Sequence, residues 1–271
     1  MKDILEEIVA HKRIEVEREK SLQPPALLYE QVERQIENER AAGATWQKSM
    51  RAALAASASG IIAEFKRKSP SKGWIKESGR AEEIPPAYSR AGAAALSVLT
   101  DEQYFGGHLD FIRRVRPLTD TPILRKEFII DEYQLYQARQ VRANAVLLIA
   151  ADLSRQECAR LTRKAHELEL EVLLEVHTEA ELEYADCQPD MVGVNNRNLG
   201  TFHTDVANSF RLASLLPPEF LLVSESGISD ARTVRELRQA GFRGFLIGET
   251  FMRQADPGEA LRAFISEVEA S

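Results

Sequence analysis

Lys66 and Lys126 each lie inside or at the end of a short apolar run, Ile61 to Lys66 and Pro122 to Phe128. A long cation there is costly unless it is paired or faces a cavity. Crowded into one pocket, each lysine would lower the other's pKa and nearby carboxylates would oppose the shift, so either could serve as a general acid. The plainer reading is a structural ion pair with Glu64 or Glu175. Glu175 follows Val172-Leu173-Leu174. Desolvation at the end of so apolar a strand should raise its pKa toward the range of a general base, a role that contributes roughly 10²- to 10⁴-fold to a rate. Alternation along a strand puts Glu64 and Lys66 on one face and Phe65 and Arg67 on the other. Ser69-Pro70-Ser71-Lys72-Gly73 then offers hydroxyls, cations and turn residues, and reads as a loop over a site. Asn195 and Arg197 alternate in the same way, with Asn196 turned away, and could bind hydroxyls or a carboxylate. Ser226-Gly227 and Gly248, after two successive apolar runs, have the placing of a phosphate cradle built from backbone N–H groups.

The elements that must position these groups repeat regularly. Apolar, β-branched runs occur at 61–66, 95–100, 122–128, 145–150, 171–176, 191–195, 220–224 and 244–247. Helical patterns lie between and after them, at 81–91, 109–115, 132–141, 155–168, 179–185, 206–216, 230–240 and 258–270. Strict alternation implies parallel strands joined by right-handed crossovers. Eight such units predict a (β/α)₈ barrel with extra N-terminal helices, one domain over 1–271 with 1–48 as a helical extension. A doubly wound sheet is the alternative, but no GxGxxG follows an early strand. Helices over 2–20 and 26–42 are expected to cover the bottom or side of the barrel, and 49–58 reads as a further helix. Polar residues end seven of the eight runs, as a shared rim requires.

Composition narrows the partners. With 35 Lys and Arg against 42 Asp and Glu, the net charge of -7 disfavours nucleic acid, which needs a basic surface. No apolar segment resembles a signal peptide or membrane span. Cys158 and Cys187 lack CxxC spacing, which suits a reducing cytoplasm. His108, His177 and His203 form no ligand spacing, so no metal is expected and histidine reads as incidental. A GxSxG elbow is missing. The residues alone also admit a different phosphate-binding barrel that uses Lys66 or Lys126 as a Schiff base, or a non-catalytic binding protein.

Six ordered segments carry a resemblance to the indole-3-glycerol-phosphate synthase family: Ile61-Ile62-Ala63-Glu64-Phe65-Lys66-Arg67-Lys68-Ser69-Pro70-Ser71-Lys72-Gly73, Leu124-Arg125-Lys126-Glu127-Phe128, Leu174-Glu175-Val176-His177, Gly193-Val194-Asn195-Asn196-Arg197-Asn198-Leu199, Ser224-Glu225-Ser226-Gly227-Ile228 and Leu246-Ile247-Gly248-Glu249. The resemblance runs nearly end to end. It implies ring closure of 1-(2-carboxyphenylamino)-1-deoxyribulose 5-phosphate with loss of carbon dioxide and water, without metal or cofactor, by a monomer or weak homo-oligomer. It implies Lys126 as general acid, Lys66 with Glu64 as a source of positive charge and proton transfer, Glu175 as base in the dehydration, and Asn195 orienting hydroxyls. Ser226, Gly227, Gly248 and Glu249 would hold the phosphate, with Ser69, Arg197 and Phe128 also on the substrate. One segment departs from the family. Phe105 is followed by Gly106-Gly107-His108, where Gln or Asn, Gly and Ser are common, so an amide and a hydroxyl are lost.

Overall fold

The computed structural model describes residues 4–43, 48–198 and 203–270. Lys2 and Asp3, at the start of the first expected helix, and Leu199 lie outside them. Eight parallel strands close into a barrel: β1 (Ile61–Phe65), β2 (Ala95–Leu99), β3 (Ile123–Lys126), β4 (Ala145–Ile149), β5 (Glu171–Val176), β6 (Met191–Asn195), β7 (Leu221–Glu225) and β8 (Phe242–Ile247). β1 pairs with both β2 and β8, so the sheet has no free edge. The runs and their order agree with the sequence reading to within about two residues at most ends, which is the usual fraying of boundaries.

Alternation sorts each strand into two faces. Ile62, Ala95, Leu124, Leu147, Leu173, Met191, Val223 and Leu246 pack together inside the barrel. Ile61, Ala63, Leu96, Ile123, Val146, Val172, Val192 and Phe245 pack outward against the helices. At the C-terminal ends the same parity, two residues beyond the inward position in β1, β3, β5 and β7 and four beyond it in β6, delivers Glu64, Lys126, Glu175, Glu225 and Asn195 into the barrel mouth. Strong caps start the outer helices: Ser154 and Glu157 form a capping box on α7 (Arg155–Glu167), and Asp131 with Gln134 does so on α6 (Glu132–Gln140).

Three helices precede the barrel, and the first is not where the amphipathic pattern alone put it. α1 (Ile4–Leu22) does not cover the bottom or side; its Ile4, Leu5 and Ile8 line the cavity at the C-terminal mouth. The reason is Lys12, 1% exposed, whose Nζ lies 2.9 Å from Asp101 Oδ2, 3.0 Å from Glu127 Oε1 and 3.0 Å from Glu15 Oε2. Asp101 follows β2 and Glu127 follows β3, so the ammonium ties α1 to the rim. α2 (Pro25–Ala41) does take the side, packing on α6 with Tyr29 stacked on Tyr136 at 3.8 Å between ring centroids. α3 (Met50–Ala56) closes the bottom with Met50 and Leu54 in the interior cluster, and Glu171 at the start of β5 accepts from its Met50 and Arg51 N–H groups.

Two further readings are corrected. The segment 68–74 is not wholly a loop: Lys68 pairs with Trp74 and Ser69 with Gly73 in a two-residue antiparallel ladder. Residues 179–187 form a 3₁₀-helix rather than an α-helix, ending at Gln188 with φ 60°.

Lys12→Met should therefore lower stability by about 3–5 kcal/mol, because it leaves Asp101 and Glu127 buried without their cation. Urea denaturation checks this, and a loss under about 1 kcal/mol would contradict the docking role.

Candidate active site

The barrel mouth encloses a cavity of ≈ 400 Å³ lined by residues at or near the C-terminal end of every strand. At its floor Lys126 Nζ lies 2.7 Å from Glu175 Oε2 and 3.0 Å from Glu225 Oε2. Asn195 Nδ2 donates to the other oxygen of Glu175 at 3.0 Å. Across the mouth Lys66 Nζ lies 2.7 Å from Glu64 Oε2. Two glycines make room for these carboxylates. A Cβ on Gly193 would fall 2.3 Å from Glu225 Oε1, and one on Gly248 would fall 2.4 Å from Glu64 Oε2. Gly248 has φ -122°, so its space, not its backbone freedom, is what the site uses.

Burial works against the charges of Lys126, Glu175 and Glu225, and the balance differs among the three. For Lys126 desolvation favours the neutral amine, but Glu175, Glu225 and Glu64 outweigh it and hold the ammonium protonated far above neutrality. For Glu175 desolvation favours the acid, but Lys126 and His177 outweigh it, so its carboxyl sits well below the usual carboxylate range. This corrects the expectation that Glu175 would be raised. Glu225 is the raised one: buried, with Lys126 already shared and Glu175 beside it, its carboxyl is pushed up to about 7. The two glutamates thus divide their roles around one lysine.

His177 is not incidental. Its Nε2 lies 3.3 Å from Glu175 Oε1 and its Nδ1 3.6 Å from Glu181 Oε2. Although burial opposes the imidazolium, these two carboxylates raise its pKa to about 10.

At the opposite side of the cavity Ser226 and Gly227 have consecutive positive φ angles of 68° and 79°. This turn carries the backbone at the end of β7 along the cavity wall, where N–H groups outside the strand suit an anion. A Cβ on Gly227 would strike Thr204 Cγ2 at 2.6 Å. Asn196 faces away from the cavity, as expected, and donates to Ser224 Oγ and to the Ser226 carbonyl, which fixes this turn. The short helix α10 (Glu249–Met252) begins just after Gly248 and faces the same space. Arg197 lines the cavity, and its Nε is buried with no hydrogen-bond partner among the described residues.

The expected site residues thus meet, with one exception. Glu64, Lys66, Lys126, Phe128, Glu175, Asn195, Arg197, Ser226, Gly227, Gly248 and Glu249 line one cavity. Ser69 does not line it; it is 2% exposed within the short ladder, with its Oγ unpaired among the described residues. Sequence reasoning gave no site role to Arg253 or the residues of α1, and it reached Glu225, Lys72 and Phe105 only as members of their segments, with no role of their own. Lys72 Nζ lies 2.6 Å from Glu249 Oε1, and Arg253 pairs with the same carboxylate. Glu225 could have been found, since it continues the inward parity of Leu221 and Val223. No group of three metal-ligating side chains occurs among the described residues, and no described helix is long and apolar enough to cross a membrane.

The chain is similar along nearly its whole length to known proteins. The family model for indole-3-glycerol phosphate synthase matches residues 5–264. A relative named indole-3-glycerol phosphate synthase in Bacteroides thetaiotaomicron is 61% identical over 269 residues, covering 99% of this chain and 100% of that protein. One of the same name in a Polaromonas species is 42% identical, covering 96% and 97%. Among solved structures, 3-hexulose-6-phosphate synthase from Salmonella typhimurium superposes with a TM-score of 0.62 at 12% identity, covering 77% of this chain and 98% of that one. A tryptophan synthase alpha-subunit from Pyrococcus furiosus gives 0.59 at 14%, covering 79% and 98%. At such identities the last two speak for the barrel fold alone.

The raised Glu225 makes a pH prediction. Its contribution to stability is complete below the ordinary carboxyl value and is lost as pH rises through about 7. Glu175 behaves oppositely: its contribution is present above the ordinary range and is lost only as pH falls through its depressed value. Between about pH 5 and 8 only Glu225 of the two titrates, so Glu225→Gln should remove up to about 1.4 kcal/mol per pH unit of alkaline decline seen in the wild type. Denaturant midpoints across that window check this, and parallel curves would contradict it.

Proposed function

The chain belongs to the indole-3-glycerol phosphate synthase family, and we propose that the charged set around Lys126 performs that family's ring closure. The reaction converts 1-(2-carboxyphenylamino)-1-deoxyribulose 5-phosphate to indole-3-glycerol phosphate, with loss of carbon dioxide and water, a carboxy-lyase step of tryptophan biosynthesis. The observation that carries the assignment of roles is a protonated lysine on the cavity floor, held between one ionised and one near-neutral carboxyl.

Lys126 donates a proton to the ketone oxygen as the ring carbon bearing the carboxylate attacks the ketone carbon. The bond to the carboxylate then breaks, carbon dioxide leaves, and its electron pair restores the aromatic ring. Lys66, held by Glu64, supplies positive charge and shares proton transfer to the hydroxyl that departs as water. Glu175, kept ionised, accepts the proton lost from the methylene carbon beside nitrogen. Glu225, hydrogen-bonded to Lys126 and retaining a proton near neutrality, is suited to return one to the lysine. Asn195 orients the sugar hydroxyls. The Ser226-Gly227 turn and the backbone after Gly248 suit the phosphate, and Arg197 suits the aryl carboxylate through its unpaired Nε–H. Ser69 belongs to the binding set through the ladder that carries Pro70 and Lys72, and Phe128 packs on the aryl ring.

A Schiff-base mechanism needs a neutral amine, whereas two carboxylates here hold Lys126 as ammonium. The two cysteines are unbridged, which suits a reducing cytoplasm. A cavity built by a single chain suits a monomer or weak homo-oligomer.

Purified protein given the carboxyphenylamino-deoxyribulose phosphate should yield a steady rise of indole fluorescence. Lys126→Ala and Glu175→Gln should each lower kcat by at least about 10²-fold while remaining folded. A well-folded wild type that gives no signal, or a Lys126→Ala variant with undiminished kcat, would contradict the proposal.

A further inference from the structure

Trp74 stands on the loop after β1 with 46% of its surface exposed, and its buried edge rests on the loop after β2. The seat is Gly106. A Cβ built there would come within 2.7 Å of the indole Cζ3 and 2.9 Å of Cη2, so any side chain at 106 would take the space the ring fills. Around this contact the two loops are joined by backbone and charge. Lys68 N donates to the Phe105 carbonyl at 3.1 Å, and Lys68 Nζ donates to the Gln103 carbonyl at 2.8 Å. The Arg67 guanidinium lies 5.3 Å from the Trp74 ring and 5.7 Å from that of Phe111, in cation–π range of both. Ile75 and Lys76 both donate to the Arg67 carbonyl and close the base of the loop.

The inner faces of the same two loops belong to the cavity. Pro70 and Lys72 enter it from the first loop, and Phe105, adjacent to Gly106, enters it from the second and lies 5.9 Å from the Phe128 ring. We propose that Trp74 is a positioning residue: seated on Gly106, it locks the 67–76 loop to the 102–108 loop, so that Lys72 and Phe105 are held at the substrate. The departure at 106 thereby has a physical account. The absent side chain is replaced by an indole reaching across from the neighbouring loop. His108 is accounted for locally, since its Nδ1 accepts from Asp110 N at the start of α5 (Asp110–Val115). The identity of the substrate rests on the synthase reading; the clasp itself does not.

The test is a two-residue cycle in a Trp46→Phe background, which leaves Trp74 as the single tryptophan of the two in the chain. Asn tolerates the left-handed backbone that Gly106 adopts at φ 62°, so Gly106→Asn isolates the clash with the ring. It should shift Trp74 emission to the red, speed tryptic cleavage at Arg67, Lys68 or Lys72, and raise KM about tenfold with kcat within about twofold. Trp74→Ala should speed cleavage and raise KM similarly. In the Trp74→Ala chain, Gly106→Asn should add less than about twofold, because the shared contact is already gone. Additive losses, or a Gly106→Asn protein with wild-type emission and cleavage, would overturn the proposal. If the wild type lacked synthase activity, the functional reading would fail, and emission and cleavage would still decide the clasp.

Discussion

The buried ammonium of Lys126 is the charge on which the site depends. Taking it out of water is unfavourable, and leaving either neighbouring glutamate without it would be more so. Its position between Glu175 and Glu225 therefore constrains three strands at once. The constraint reaches further through glycine. Gly193 on β6 has no side chain because Glu225 occupies that space, and Gly248 after β8 has none because Glu64 does. Barrel closure, strand parity and these two omissions together bring like charges close enough to have different affinities for protons.

The same logic, a buried cation shared by carboxylates of separate elements, recurs one layer out. Lys12 of α1 is to Asp101 and Glu127 what Lys126 is to Glu175 and Glu225. Glu127 is the neighbour of Lys126 in sequence but faces the opposite side of β3, where it also accepts from Thr100 and binds Lys12. One short strand end thus serves both networks, the inner one lining the cavity and the outer one holding the apolar residues Ile4, Leu5 and Ile8 over it. Asp101 further accepts from the N–H groups of Tyr104 and Phe105, so the loop bearing Phe105 is shaped from the same point.

Much of this was legible in the sequence. The recurrence of short β-branched runs and amphipathic stretches implied the closed barrel, because few other architectures use eight such units in one domain. Period-two alternation placed Glu64 with Lys66 and turned Asn196 away from Asn195. What was not legible depends on distances across the fold. The stripe of Ile4, Leu5 and Ile8 announces a buried helix face but not which end of the barrel buries it; Lys12 decides that. Desolvation of Glu175 was correctly inferred, yet its sign was overruled by Lys126, brought in by a separate strand, together with His177, two residues along the same strand end. Glu225 was present in a recognised segment and overlooked, although its strand parity alone pointed inward.

The central claim is that Lys126 acts on the ketone oxygen while the phosphate rests on the Ser226-Gly227 turn. A crystal structure with a substrate analogue whose ketone is reduced to an alcohol tests it most directly. The account predicts the alcohol oxygen within hydrogen-bond reach of Lys126 Nζ, the phosphate on the N–H groups of the turn and of the backbone after Gly248, and the aryl ring against Phe105 and Phe128. An alcohol oxygen held away from Lys126, or a phosphate bound at the other end of the cavity, would contradict it.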